Sequence, residues 1–215
     1  MELFERLAAI FFPTRCIFCG VVVEYDDFHC EQCDFSRIVA LDFAFGSKLR
    51  LAAALEYKGN VKNILLSLKE NHDKRICRFL AEQMYKAFAE DFGGVEFDVI
   101  VPVPATQKTL KEKGFNHAGL LAEYLSDLIG VPTSDEVLVR VEGSISQYGL
   151  NRRQRFENAE KSYKIAGYKD INEKVILIVD DTVTTGSTIN ACAEQLMGAG
   201  ASAVFAVAAA GVRLD

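Results

Sequence analysis

The sequence contains no run of about 18 apolar residues, so it offers no segment long enough to cross a membrane as a helix. It carries no excess of positive charge. The formal net charge is −6, which counts against a whole-protein electrostatic grip on nucleic acid or anionic lipid. The opening stretch MELFERLAAIFF lacks the basic start and long apolar block of a secretory signal, being interrupted by Glu2, Glu5 and Arg6. Internal repeats and low-complexity tracts are also missing. These absences leave a cytoplasmic globular protein as the expectation. With 215 residues, half of them apolar, the chain can bury a core as one ordinary domain with a small appendage.

Cysteine is present, and it is unevenly placed. Cys16, Cys19, Cys30 and Cys33 form two C-x-x-C pairs near the start, whereas Cys77 and Cys192 stand alone in helical-looking segments as small buried apolar residues. Paired C-x-x-C units in a cytoplasmic chain point to metal before disulfides, and four thiolates on two tight knuckles suit a tetrahedral, structural Zn2+. A redox pair or two local disulfides are the alternatives. His29 is a competing ligand, although four cysteines already complete a closed shell.

Along the rest of the chain, helical spacing of apolar residues predicts helices over Val61–Leu68, Ile76–Phe92 and Asn116–Ile129, with an opening helix ending near Phe12–Pro13. Buried strands are predicted over residues 98–104, 136–141, 174–181 and 201–210, with a helix from Ser187 to Met197 between the last two. Residues 143–161 are polar and Arg-rich and read as a loop. Strands alternating with helices imply an α/β domain with a parallel sheet flanked by helices. The division expected is a helix and four-cysteine segment over residues 1–48 and the α/β domain over 49–215.

The strand KVILIVDD delivers Asp180 and Asp181 to its carboxyl end, where ligands gather in parallel α/β sheets. Thr182, Thr184, Thr185, Gly186, Ser187 and Thr188 follow. Gly186 permits a tight turn, and hydroxyls beside a new helix N-terminus make a nest for phosphate. Carboxylates would repel phosphate, but they accept hydrogen bonds from neighbouring hydroxyls. A ribose 5-phosphate meets both demands: diol at the acids, phosphate at the turn. The Gly-Lys-Ser/Thr ending of a nucleotide P-loop is absent. The plainer alternative is a strand leading into a capped helix start.

VILIVDDTVTTGST resembles the phosphoribosyl-pyrophosphate motif of type I phosphoribosyltransferases. VPVPATQK (101–108) stands where that superfamily cradles pyrophosphate, so Lys108, Lys111 and Lys113 are expected to neutralise its oxygens; the alternative is a solvated basic loop. KGFNHA (113–118) is similar to the R-G-F-N-Q-A signature of the ComF family. Gln147, Leu150, Arg155 and Asn158 match its Q-x-x-L-x-x-x-x-R-x-x-N element, and LEYKGN (55–60) resembles its K-Y-K-G turn. Lys113 replaces the usual arginine, which removes bidentate oxyanion recognition at that position. His117 replaces glutamine and reads as a helix residue more readily than as a general base.

The resemblance implies a type I phosphoribosyltransferase fold that binds phosphoribosyl pyrophosphate with Mg2+ and transfers the ribosyl group to an acceptor the sequence does not name. Asp180 and Asp181 would be catalytic, Arg155 would contact the ligand, and the loop with Arg152 and Arg153 would close over it. Phe35, Phe43, Phe45 and Tyr57 are available to stack a base, though scattered aromatics are commonly core. The family also implies a protein partner in DNA uptake and contact with single-stranded DNA. Against DNA contact, the finger's lone cation, Arg15, faces Glu24, Asp26, Asp27, Glu31 and Asp34. A regulator that binds the ribosyl ligand without turnover is the third reading.

Overall fold

The structure, a computed structural model, describes residues 13–38, 49–71, 73–141, 162–166 and 171–212. The expected opening helix and the 143–161 loop, with Arg155, lie outside them, as does the expected division at residue 48.

The centre of the molecule is a four-stranded, wholly parallel sheet. Its strands are β1 (Leu49–Glu56), β2 (Val99–Pro102), β5 (Val175–Val183) and β6 (Ala203–Gly211), arranged β1-β6-β5-β2. β5 is the hydrophobic centre: Ile176, Leu177, Ile178 and Val179 are fully enclosed, as expected of a strand covered on both faces. Helices α1 (Gly59–Asn71) and α2 (Lys74–Phe92) follow β1, and α3 (Gln107–Lys113) and α4 (His117–Ile129) follow β2. A short antiparallel pair, β3 (Leu138–Arg140) and β4 (Tyr163–Ile165), precedes β5, and α5 (Ser187–Gly198) joins β5 to β6.

Two layers of side chains sandwich the sheet. On one face α2 and α4 contribute Phe79, Leu80, Met84, Leu121 and Leu125; on the other, α5 and the β3–β4 pair contribute Ile189, Leu196, Leu138 and Tyr163. Cys77 and Cys192 are buried within these layers. The N-terminus of α2 is fixed by Asp73, whose carboxylate accepts from the Arg75 amide at 2.8 Å.

Several boundaries differ from the sequence reading. β1 was not expected: LRLAAALE is alanine-rich, a poor strand signal, and only its pairing with β6 settles the conformation. The strand expected over 174–181 continues to Val183, because Thr182 and Val183 pair with Ala210 and Gly211. Thr182 therefore belongs to the strand rather than to the turn. The polar stretch around Lys108 forms helix α3, capped by Thr106 Oγ1 accepting from the Thr109 amide at 2.9 Å.

Residues 13–38 form the cysteine module and pack on α2. Phe18, Phe28, His29 and Phe35 surround Phe79, with ring centroids 5.3–6.0 Å from its ring. Arg75 donates to the backbone carbonyls of Arg15 and Asp27, the latter at 2.7 Å. The module then runs antiparallel to the outer edge of β1: Glu56 N donates to Ser36 O at 2.8 Å and Ile38 N to Ala54 O at 3.3 Å. That pairing covers a sheet edge that would otherwise be open to foreign strands.

Candidate functional site

Successive side chains of a strand point to opposite faces, so the acids at the end of β5 have different surroundings. Asp180 is buried and its Oδ1 accepts from the Asp181 amide at 2.8 Å. Burial, then the neighbouring Asp181 charge, pushes the Asp180 carboxyl well above its ordinary range. Asp181 is half-buried and its Oδ2 lies 2.7 Å from Lys69 Nζ on α1. Burial alone would lower the Lys69 ammonium, but the charge and hydrogen bond of Asp181 hold it above the usual lysine value.

Around this pair is a cavity of about 390 Å3, within the range of small-molecule sites. Its walls come from several segments at this edge of the sheet. Val103–Thr106 follow β2, Thr109 opens α3, and Asn116, His117 and Ala118 begin α4. Asn116 Nδ2 donates to Val103 O at 2.9 Å, which ties the start of α4 to the segment after β2. Arg140 and Tyr163 enter from β3 and β4, and Thr188 from α5.

Of the residues expected from sequence, Asp180, Asp181, Thr182 and Thr188 meet in this cavity. Thr184, Thr185, Gly186 and Ser187 form the adjoining turn. Gly186 has φ 72°, a conformation that favours glycine, and Thr185 Oγ1 and Ser187 Oγ hydrogen-bond at 3.0 Å. Lys108 and Lys113 are not brought to the cavity. Both are exposed on α3, where Lys108 lies 3.8 Å from Glu112. His117 lines the wall with its ring 4.5 Å from that of Phe115.

Lys69, Arg140 and Tyr163 were missed. Lys69 sits on a helix whose partner is more than a hundred residues away. Arg140 had one legible signal, a lone cation in the apolar run Val137–Val141.

The cysteine module is equally specific. The four Sγ atoms lie within 4.8 Å of one another, and none of the cysteines forms a disulfide. Cys16 and Cys33 are 3.8 Å apart and Cys19 and Cys30 3.7 Å. A tetrahedron with metal–sulfur bonds of about 2.3 Å has edges of about 3.8 Å. The alternatives of two local disulfides and a redox pair do not describe this arrangement, because all four sulfurs converge. Burial opposes ionisation of Cys16, but the amides of Cys19, Cys30 and Phe18 bring it down to about 6; burial and the neighbouring thiols push Cys33 up.

No family model matches the chain. It is 34% identical to the DNA utilization protein YhgH of Escherichia coli K12 over 158 residues, covering 72% of this chain and 69% of that protein. Competence protein F of Haemophilus influenzae is 25% identical over 185 residues, 84% of this chain and 77% of its own length. Competence protein ComFC of Bacillus subtilis is 25% identical over 174 residues, 81% of this chain and 68% of its own. Solved structures similar to the chain include a purine phosphoribosyltransferase from Pyrococcus horikoshii (22% identity, TM-score 0.38, 60% of this chain and 71% of that one). An adenine phosphoribosyltransferase from Thermoanaerobacter pseudethanolicus is similar at 17% identity and TM-score 0.41, covering 65% and 82%. The α/β class, the parallel sheet flanked by helices and the N-terminal four-cysteine cluster are as the sequence implied. The chain belongs to the ComF family, with Competence protein F, ComFC and YhgH as relatives.

Proposed function

We propose that the chain binds phosphoribosyl pyrophosphate with Mg2+ and transfers the ribosyl group to an acceptor. The observation that carries this reading is the acid pair Asp180–Asp181 on the wall of an open cavity, with the Thr184–Thr188 turn beside it at the start of α5. A diol on the acids and a phosphate in the turn fit one ligand. The bond between the ribose C1 and the pyrophosphate oxygen breaks, and a bond from C1 to the acceptor nucleophile forms. Positive charge builds on the sugar ring as the first bond lengthens, and carboxylates beside it stabilise that charge. Asp181 presents its side chain beside the Lys69 ammonium. Asp180, held toward its protonated form, can donate to a ribose oxygen as well as accept from one.

The carboxylate oxygens of Asp181, with ligand oxygens, are the hard donors that suit Mg2+. When bound, Mg2+ neutralises charge on the departing pyrophosphate. In the same reading Zn2+ occupies the four-cysteine module as a structural ion, since a closed four-sulfur shell leaves no open position for chemistry. Residues 13–38 then act as a module docked on the ribosyl domain, Arg155 is assigned a ligand contact as the resemblance implies, and the protein works in the cytoplasm, where the thiols stay reduced. Release of pyrophosphate in the presence of a panel of nitrogen acceptors tests the transfer. Binding without release under every acceptor would instead leave a regulator.

The names of the relatives favour a second reading, a role in DNA handling through single-stranded DNA or a protein of the uptake machinery. The described part of the finger is acidic and adds four thiolates around one dication, so we place any strand contact elsewhere. Salt titration with labelled single-stranded DNA separates the two: no binding at low salt leaves the small-molecule enzyme.

A further inference from the structure

The cavity holds two idle polar groups. Arg140 Nε and Thr182 Oγ1 are both buried and neither has a hydrogen-bond partner among the described residues. Both residues line the same cavity, one from β3 and the other from β5. A buried donor left unmade is costly, and a half-buried guanidinium more so. No carboxylate among the described residues forms an ion pair with Arg140. Nor is Arg140 loosely held. It stands opposite Tyr163 in the β3–β4 register, its guanidinium carbon 5.4 Å from the Tyr163 ring centroid, and Nη1 donates to the Tyr163 hydroxyl at 3.2 Å. Tyr163 is buried, 3% exposed, and burial keeps its phenol neutral and able to accept that bond.

We propose that Arg140 Nε and Thr182 Oγ1 form an oxyanion seat that takes a phosphoryl oxygen of the ligand, with Tyr163 fixing the guanidinium in place. This rests on the ribosyl reading and deepens it. The seat replaces the lysines of α3, which are exposed, as the protein's inner phosphate contact. An anion fits beside the acid pair because Asp181 is paired with Lys69 at 2.7 Å. Guanidinium suits this task better than ammonium, since its donors sit in a rigid plane. The phosphoryl oxygen belongs either to the pyrophosphate or to the 5-phosphate, and separate probes tell them apart.

The experiment is calorimetric titration of the full-length protein with phosphoribosyl pyrophosphate and Mg2+, inorganic pyrophosphate and ribose 5-phosphate. It uses wild type, Arg140→Met, Arg140→Lys and Thr182→Val, each checked for a native unfolding transition. Arg140→Met is expected to weaken the seated phosphate's probe by about tenfold or more, and Thr182→Val by about threefold. Arg140→Lys should behave like Arg140→Met, because it keeps the charge but loses the Nε donor. The probe carrying the other phosphate should be unaffected. Equal affinity of all folded variants for every probe overturns the seat and leaves the ribosyl reading standing. Equal loss on both arms, restored by lysine, overturns it as well, since charge alone then suffices. Wild type that binds pyrophosphate but neither ribosyl probe, with Arg140→Met losing that binding, keeps the seat and removes the ribosyl reading. Wild type that binds no probe overturns both.

Discussion

Lys69 Nζ lies 2.7 Å from Asp181 Oδ2, which ties helix α1 to the end of the strand that carries the acid pair. The contact brings a cation to one of two adjoining carboxyls, the other of which, Asp180, is buried. It also gives the first prediction. Lys69→Met should destabilise the protein by about 1 kcal/mol, a figure kept small because the lysine side chain is partly open to solvent. Denaturant unfolding measures it. An unchanged midpoint would mean that solvent already screens the pair.

Asp180 sets the pH dependence. Its folded-state value is raised, so the native state keeps a proton that the unfolded chain gives up above about pH 3.9. The associated stability is complete below that value and is lost as pH rises toward the folded one. Asp180→Asn should therefore raise the unfolding temperature at pH 7, with the advantage over wild type shrinking toward pH 4. Thermal scans across that window check the sign; a variant less stable than wild type at pH 7 would contradict it.

The cysteine module should carry one metal ion per chain. Metal analysis of the purified protein is expected to find one zinc, and Cys30→Ser to lose it. Because the module's rings pack on Phe79 and its backbone pairs with β1, metal removal by a chelator should lower the unfolding temperature of the whole protein. A transition unmoved by metal removal would show that the module is thermally independent.

Phe79 itself is fully buried where module and core meet. Phe79→Ala should cost about 3–5 kcal/mol by emptying that junction. Phe79→Leu should cost less, and denaturant midpoints for the two give the comparison.

Much of this was legible in the residues. The run Val175–Val179 announced a strand covered on both faces, and the acids ahead of the Thr/Gly turn line a cavity at its end. The cysteine spacing announced a four-sulfur cluster, and all four Sγ atoms converge. What escaped the reading depends on distance in sequence. β1 is a strand because β6 lies beside it, and its alanines carry no signal of that. Lys69 meets Asp181, and Arg140 meets Tyr163, only after the chain has folded. Lys108 and Lys113 seemed well placed by motif order, but the helix that carries them turns them to solvent. The loop with Arg155 lies outside the described residues.

In the proposed function the acid pair holds a ribosyl ligand. Titration of wild type and of Asp180→Asn/Asp181→Asn with phosphoribosyl pyrophosphate in the presence of Mg2+ tests it most directly. Wild type should bind saturably and the double variant should lose about tenfold or more in affinity, in a protein that still unfolds cooperatively. Equal affinity in the two proteins, or none in wild type, would contradict it.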